Sequence, residues 1–260
     1  MNDTDLLNAV WSEDSVALRA VLRSATGKSL GGESGKTAVM SALMSGNSDL
    51  VGVLLEFGVD ANLRFDDGST PLIHASFGGH AAIVRMLLAA GAGVDERDAE
   101  GDTALMSAAK EGHADIVKLL LAEGADIHRR DDKERTALWW AASKGDFAEV
   151  AASLIEAGAD IDTRTRSGMT PLMAAASMGH LRVLNILLAA NAEVNAPDNE
   201  GWTALMHSVR GGRADIVRAL LSAGADRTIK AADDATTAQD IAKGAGDPSL
   251  LRLLREDLPS

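Results

Sequence analysis

One threonine recurs at a near-constant interval along the chain, and that period leaves few folds open. It stands as Thr37, Thr70, Thr103, Thr136, Thr170, Thr203 and Thr237, usually before an apolar pair, at spacings of 33, 33, 33, 34, 33 and 34 residues. A step of 33 back from Thr37 lands on Thr4, which opens a weaker copy. A period of this length marks a repeat array, whose copies bury their apolar sides by stacking on one another. Composition agrees. Hydrophobic residues are 46% of the 260 but aromatics only 3%, so the core is built from Ala, Leu, Val, Ile and Met. Small and unbranched side chains of this kind favour helices.

Each copy reads as two short helices. Thr is a good N-cap, and the Pro71 and Pro171 that follow two of the threonines are tolerated in a first helical turn. In the copy opened by Thr103, a small-residue helix follows (Ala104 to Ala109), Gly112-His113 breaks it, and a second amphipathic helix runs over Asp115 to Leu121. Gly124 ends that helix, and a polar stretch from Asp126 to Asp131 crosses to the next Thr. Neither helix is long enough to be stable alone.

Gly101-Asp102-Thr103-Ala104-Leu105, Gly112-His113-Ala114-Asp115-Ile116-Val117 and Gly124-Ala125-Asp126-Ile127 closely resemble the ankyrin repeat, with near-copies at Gly79-His80-Ala81-Ala82-Ile83-Val84 and Gly211 to Val217. The resemblance covers essentially the whole chain. It implies an all-α helical repeat solenoid with short β-hairpin loops, about eight stacked units including caps. One departure is general. The family often has His three residues after the Thr, and here Met40, Ile73, Met106, Trp139, Met173 and Met206 stand there, where they are expected to join the core. A single repeat domain over 1–260 is expected, with a degenerate N-terminal capping unit at 1–36, six internal repeats over 37–236 and a C-terminal capping unit at 237–260. In the latter Leu250, Leu251, Leu253 and Leu254 should face inward. Both ends read as caps, so no missing neighbouring domain is expected.

Several chemistries are set aside. Without cysteine there are no disulfides or thiolate metal sites. Gly35-Lys36-Thr37 looks like the end of a phosphate-binding loop opening a helix at Thr37. The glycine that motif needs five residues earlier is Leu30, however, and the Gly-x-Thr recurs as Gly68-Ser69-Thr70, Gly101-Asp102-Thr103 and Gly201-Trp202-Thr203. His80, His113 and His180 are expected to satisfy backbone groups at the turn between helices, His74 and His207 lie in separate repeats, and His128 lies in a loop. No Ser/His/Asp group is apparent. Asp66-Asp67, Asp131-Asp132 and Asp233-Asp234 read as solvated loop acids. No cofactor or metal is expected, and no enzyme activity.

Binding is expected on the concave side. The resemblance exposes two sets of positions there: one, three and four residues before the Thr, and four, seven and eight after it. Four of the eight aromatic residues fall in this set, namely Trp11, Phe77, Trp140 and Trp202. Exposed Trp and Arg are the usual anchors of an interface, and Met44, Met169 and Met178 add adaptable apolar surface. The partner-binding residues so named are Phe77, Lys110, Lys133, Arg135, Trp140, Lys144, Arg166, Met169, Met178, Trp202, His207 and Arg210.

Repeat five, opened by Thr136, is irregular. Glu134 replaces the tip glycine, an extra residue near Phe147 lengthens the loop between its helices, and Ala152 and Ser153 weaken its second helix. Rules of local structure are broken most often at functional sites, which centres the expected surface on 133–144 and 166–178 with Trp202.

The function that follows is a non-enzymatic protein–protein interaction module, a scaffold or adaptor. The alternative is an acidic inhibitor or immunity-type subunit that blocks an enzyme or toxin through its acidic tips. The formal charge of −13 disfavours nucleic acid and membrane surfaces and favours a partner with a basic surface. A cytoplasmic monomer is expected.

Overall fold

The computed structural model describes residues 3–24, 32–232 and 235–255, so Asp233-Asp234 lie outside the described residues. Among these residues there are sixteen α-helices and no strand. In chain order they are α1 (Asp3–Trp11), α2 (Ser15–Ser24), α3 (Glu33–Met44), α4 (Ser48–Glu56), α5 (Pro71–Phe77), α6 (Ala81–Ala89), α7 (Ala104–Glu111) and α8 (Ala114–Ala122). They continue as α9 (Ala137–Lys144), α10 (Ala148–Glu156), α11 (Pro171–Met178), α12 (Leu181–Ala189), α13 (Ala204–Arg210), α14 (Ala214–Ser222), α15 (Ala238–Ala245) and α16 (Pro248–Arg255).

The chain forms two compact units, Met1–Asp126 and Ile127–Ser260. In the first, α1, α3, α5 and α7 pack in one row and α2, α4, α6 and α8 in a second, each helix also touching its pair-mate. In the second unit α9, α11, α13 and α15 form one row and α10, α12, α14 and α16 the other. The core of each is the Leu, Ile, Val, Met and Ala between the rows, with Leu54, Leu105, Met106, Leu154, Leu184 and Leu220 almost wholly enclosed.

The threonine period sets the start of the first helices. Thr70, Thr103, Thr136, Thr170, Thr203 and Thr237 are N-caps whose hydroxyls accept the backbone N–H three residues on. Thr37 corrects the expectation. It lies inside α3, which starts at Glu33, and its hydroxyl donates back to the Glu33 carbonyl at 2.9 Å.

The helices α4, α6, α8, α10, α12 and α14 each end on a left-handed residue, as in the bonds Gly124 N–H to Leu121 O and Ala125 N–H to Leu120 O that wrap the end of α8. Leu250 and Leu254 of α16 are buried, whereas Leu251 and Leu253 flank that stripe half-buried. The inward-facing set therefore has two full members, spaced i, i+4 as one helix face requires. No helix among the described residues is long and apolar enough to cross a membrane.

Candidate functional site

Between helix pairs the chain makes a tight tip rather than a hairpin with strands. In repeat four, Asp98 N–H bonds to Asp102 O at 3.0 Å and Gly101 N–H returns to Asp98 O at 3.1 Å. Those two bonds define a short loop closing on a left-handed residue. Successive tips touch through backbone bonds, Ala99 N–H to Asp67 O in the first unit, and Arg166 N–H to Lys133 O and Ala232 N–H to Glu200 O in the second. A β-carbon at Gly201, which sits at φ +80°, would stand 2.7 Å from the Ala232 nitrogen, so both the conformation and the close approach select glycine.

In repeats four, five and seven an aspartate five residues before the Thr locks the tip. Asp131 Oδ1 accepts from the N–H of Lys133 (2.8 Å) and Arg135 (2.9 Å), and Asp198 Oδ1 from Glu200 and Trp202 (both 2.9 Å). The second oxygen reaches the tip or the helix behind it. Asp131 Oδ2 takes Arg135 Nε at 2.6 Å, and Asp198 Oδ2 meets His207 Nε2 at 2.9 Å. In repeat four Asp102 ion-pairs with Lys110. Asp131, Asp198 and Asp102 have buried carboxylates. Asp131, expected to be a solvated loop acid, is thus a structural one.

A related contact joins Asp67, Ser69 and His74, a grouping the sequence did not reveal. Asp67 Oδ1 accepts the Ser69 N–H at 3.0 Å and its hydroxyl, and that hydroxyl lies 2.7 Å from His74 Nε2. The Ser69 hydroxyl bond holds the Asp67 carboxyl below its usual range. Burial pushes His74 down, against the pull of the Asp67 and Asp98 charges. In a nucleophilic triad the imidazole stands between serine and carboxylate. Here a buried serine stands between the other two, its proton committed to the carboxylate, so the group anchors a tip.

Of the residues expected on the binding surface, the first unit carries two. Phe77 ends α5 and is 52% exposed, and Lys110 on α7 is mostly buried against Asp102. Phe77 belongs to a row. Trp11 (61% exposed), Met44 (77%) and Phe77 each end the first helix of three successive, mutually packed pairs, α1, α3 and α5. Their common offset of seven from Thr4, Thr37 and Thr70 is the sequence signal for this row, which the residues taken singly did not show.

The second unit carries the rest. Lys133, Lys144, Arg166, Arg210 and Met178 are exposed and Met169 and Trp202 half-buried. Trp140, expected as an exposed anchor, is only 6% exposed. The Arg135 guanidinium, pinned by Asp131, lies 3.9 Å from its ring centroid, and Trp139 meets it edge-on at 5.3 Å. Lys144 Nζ stands 5.4 Å from the same ring. Trp202 lies under the Arg210 guanidinium at 4.8 Å and against His207 at 5.5 Å. His207, also expected at the surface, is buried, and its Nδ1 has no hydrogen-bond partner. Arg135 likewise lies largely covered. The burial of Trp140 and of His207 has one cause: both stand four residues beyond their Thr, where Arg135 and Asp198 from the tip fold over them.

The histidines at the turn between helices reach back to the preceding pair, His113 Nε2 to Phe77 O at 3.0 Å and His180 Nδ1 to Ala142 O at 2.9 Å. Repeat five has Asp146 and Phe147 there, with one residue more between α9 and α10 than between α7 and α8. Asp146 Oδ1 accepts the Val183 N–H of α12 at 2.9 Å.

A family model for ankyrin repeats, three copies of it, matches residues 6–98, 83–165 and 138–231. No individual curated protein matches the chain.

Proposed function

The chain belongs to the ankyrin repeat family, whose repeats are in general protein-interaction modules, and we propose that it is a non-enzymatic scaffold or adaptor that grips a partner through the ends of its first helices and its tips. The observation that carries this reading is the row Trp11, Met44 and Phe77. These large apolar side chains, in register on three packed helices, leave more than half of their surface outside the core beneath them. They are what a partner's apolar surface would cover. The acidic-inhibitor reading is less well supported, because Asp102, Asp131 and Asp198 are spent on the tips themselves.

The test compares cross-linked partners of the wild-type chain with those of the triple variant W11S/M44S/F77S. The variant is expected to melt within a few degrees of wild type, since surface changes away from special features cost within about 0.5 kcal/mol, and to lose the partner. An unchanged set of partners would refute the reading.

A further inference from the structure

The chain has 38 acidic and 25 basic residues, and several surface cations pair with an acid. Arg130 pairs with Glu134, Arg218 with Asp215 and Lys243 with Asp240 in the second unit alone. Lys133, Lys144, Arg166 and Arg210 are exposed and have no acidic partner among the described residues. Two of them close their helices, Lys144 on α9 and Arg210 on α13, each against an indole ring. Between those helices, packed on both, is α11, which ends on Met178, itself 50% exposed. The ends of these three successive helices thus present cation, thioether, cation, Lys144 and Met178 eight residues beyond their Thr and Arg210 seven beyond its own. Lys133 and Arg166 extend the positive charge along two tips joined by a backbone bond of 3.0 Å. A basic residue in a last turn also suits the helix dipole, but that does not account for the cations on the tips.

We propose that this face of the second unit binds an extended acidic segment of a partner protein, with an apolar residue flanked by carboxylates three positions to either side. The proposal rests on the adaptor reading and supplies the partner's chemistry. The spacing follows from geometry: packed helices lie about 8–10 Å apart, and an extended chain advances about 3.3 Å per residue, so one helix step is about three residues. Charge complementarity selects the carboxylates, and Met178 selects the apolar residue between them. A nucleic acid fits less well, because a chain of formal charge −13 repels a uniform polyanion and Met178 offers nothing to a phosphate.

Fluorescence anisotropy of the intact protein with a labelled peptide Asp-Gly-Ser-Leu-Gly-Ser-Asp tests it. Binding is expected to weaken about tenfold or more in K144E/R210E and in K133E/R166E, and to weaken with salt as exposed charge pairs do. It should be unchanged in R218E. The neutral pair K144Q/R210Q should fall between, with melting temperatures recorded for all. Several results would overturn the proposal: no binding, indifference to both double reversals, equal affinity for a peptide with its acids moved next to Leu, or tighter charge-dependent binding of a single-stranded oligonucleotide. Dimerisation of the wild type that K144E/R210E abolishes would overturn it in favour of a second copy as occupant. Loss of partners in W11S/M44S/F77S but not in either charge reversal would leave the adaptor reading standing and this inference refuted.

Discussion

Glu134 sits at φ +63°, in the place where Gly68, Gly101, Gly168 and Gly201 adopt φ between 75° and 84°. A side chain in that conformation costs roughly 1–2 kcal/mol, of which glycine gives back part through the entropy of its unfolded chain. Its ion pair with Arg130 is exposed and worth little. E134G is therefore expected to raise the unfolding free energy by about 0.5–1 kcal/mol, read as a higher urea midpoint at unchanged slope; a lower midpoint would show that Glu134 contributes more than its strain. His74 supplies a second test. Burial lowers its pKa below the ordinary 6.5, so as pH falls through about 6.5 the unfolded chain takes up a proton that the folded chain resists. The unfolded state then holds more protons, and the contribution of His74, full above that pH, declines as pH falls toward its folded value. As pH falls below about 6.5, the unfolding free energy of H74Q should fall less steeply than that of wild type; parallel curves would refute this. Asp67, held low by Ser69, acts with the same sign only below its ordinary 3.8.

At the scale of the element, the period of the threonines made the helix pairs legible because an N-cap, a breaking Gly-His and a terminal Gly are local chemistry. The reading failed where a helix boundary depended on something other than the cap. Thr37 is of the capping type, yet α3 starts at Glu33 and runs through it. The extra residue of repeat five was visible as a 34-residue interval, but its use was not. α12 starts at His180 with no side-chain cap of its own, and Asp146, 37 residues upstream, supplies an acceptor to Val183. D146A should cost about 1 kcal/mol, the usual loss on removing a cap, measured by urea unfolding. Indifference to the change would leave the longer loop without a structural role. Ser153, read as weakening α10, sends its hydroxyl back to Glu149 O at 2.9 Å, which satisfies it within the helix.

Over the whole molecule, the binding surface was less legible than the fold because exposure is decided between tip and helix, not along the sequence. Trp140 and His207 occupy positions that the repeat exposes, yet Arg135 and Asp198 close over them. Trp11, Met44 and Phe77 have no such cover. The net charge of −13 is a sum over the chain, and Lys133, Lys144, Arg166 and Arg210 are exposed within it. The two surfaces differ in physics and are separable by salt. At 1 M salt the screening length is about 3 Å, which removes attraction between exposed charges and leaves apolar burial intact or strengthened. Partners that W11S/M44S/F77S fails to retain are thus expected to survive a 1 M wash on wild-type protein, and those lost by K144E/R210E to leave in it. A salt-resistant set that ignores the triple variant would place the apolar grip elsewhere on the chain.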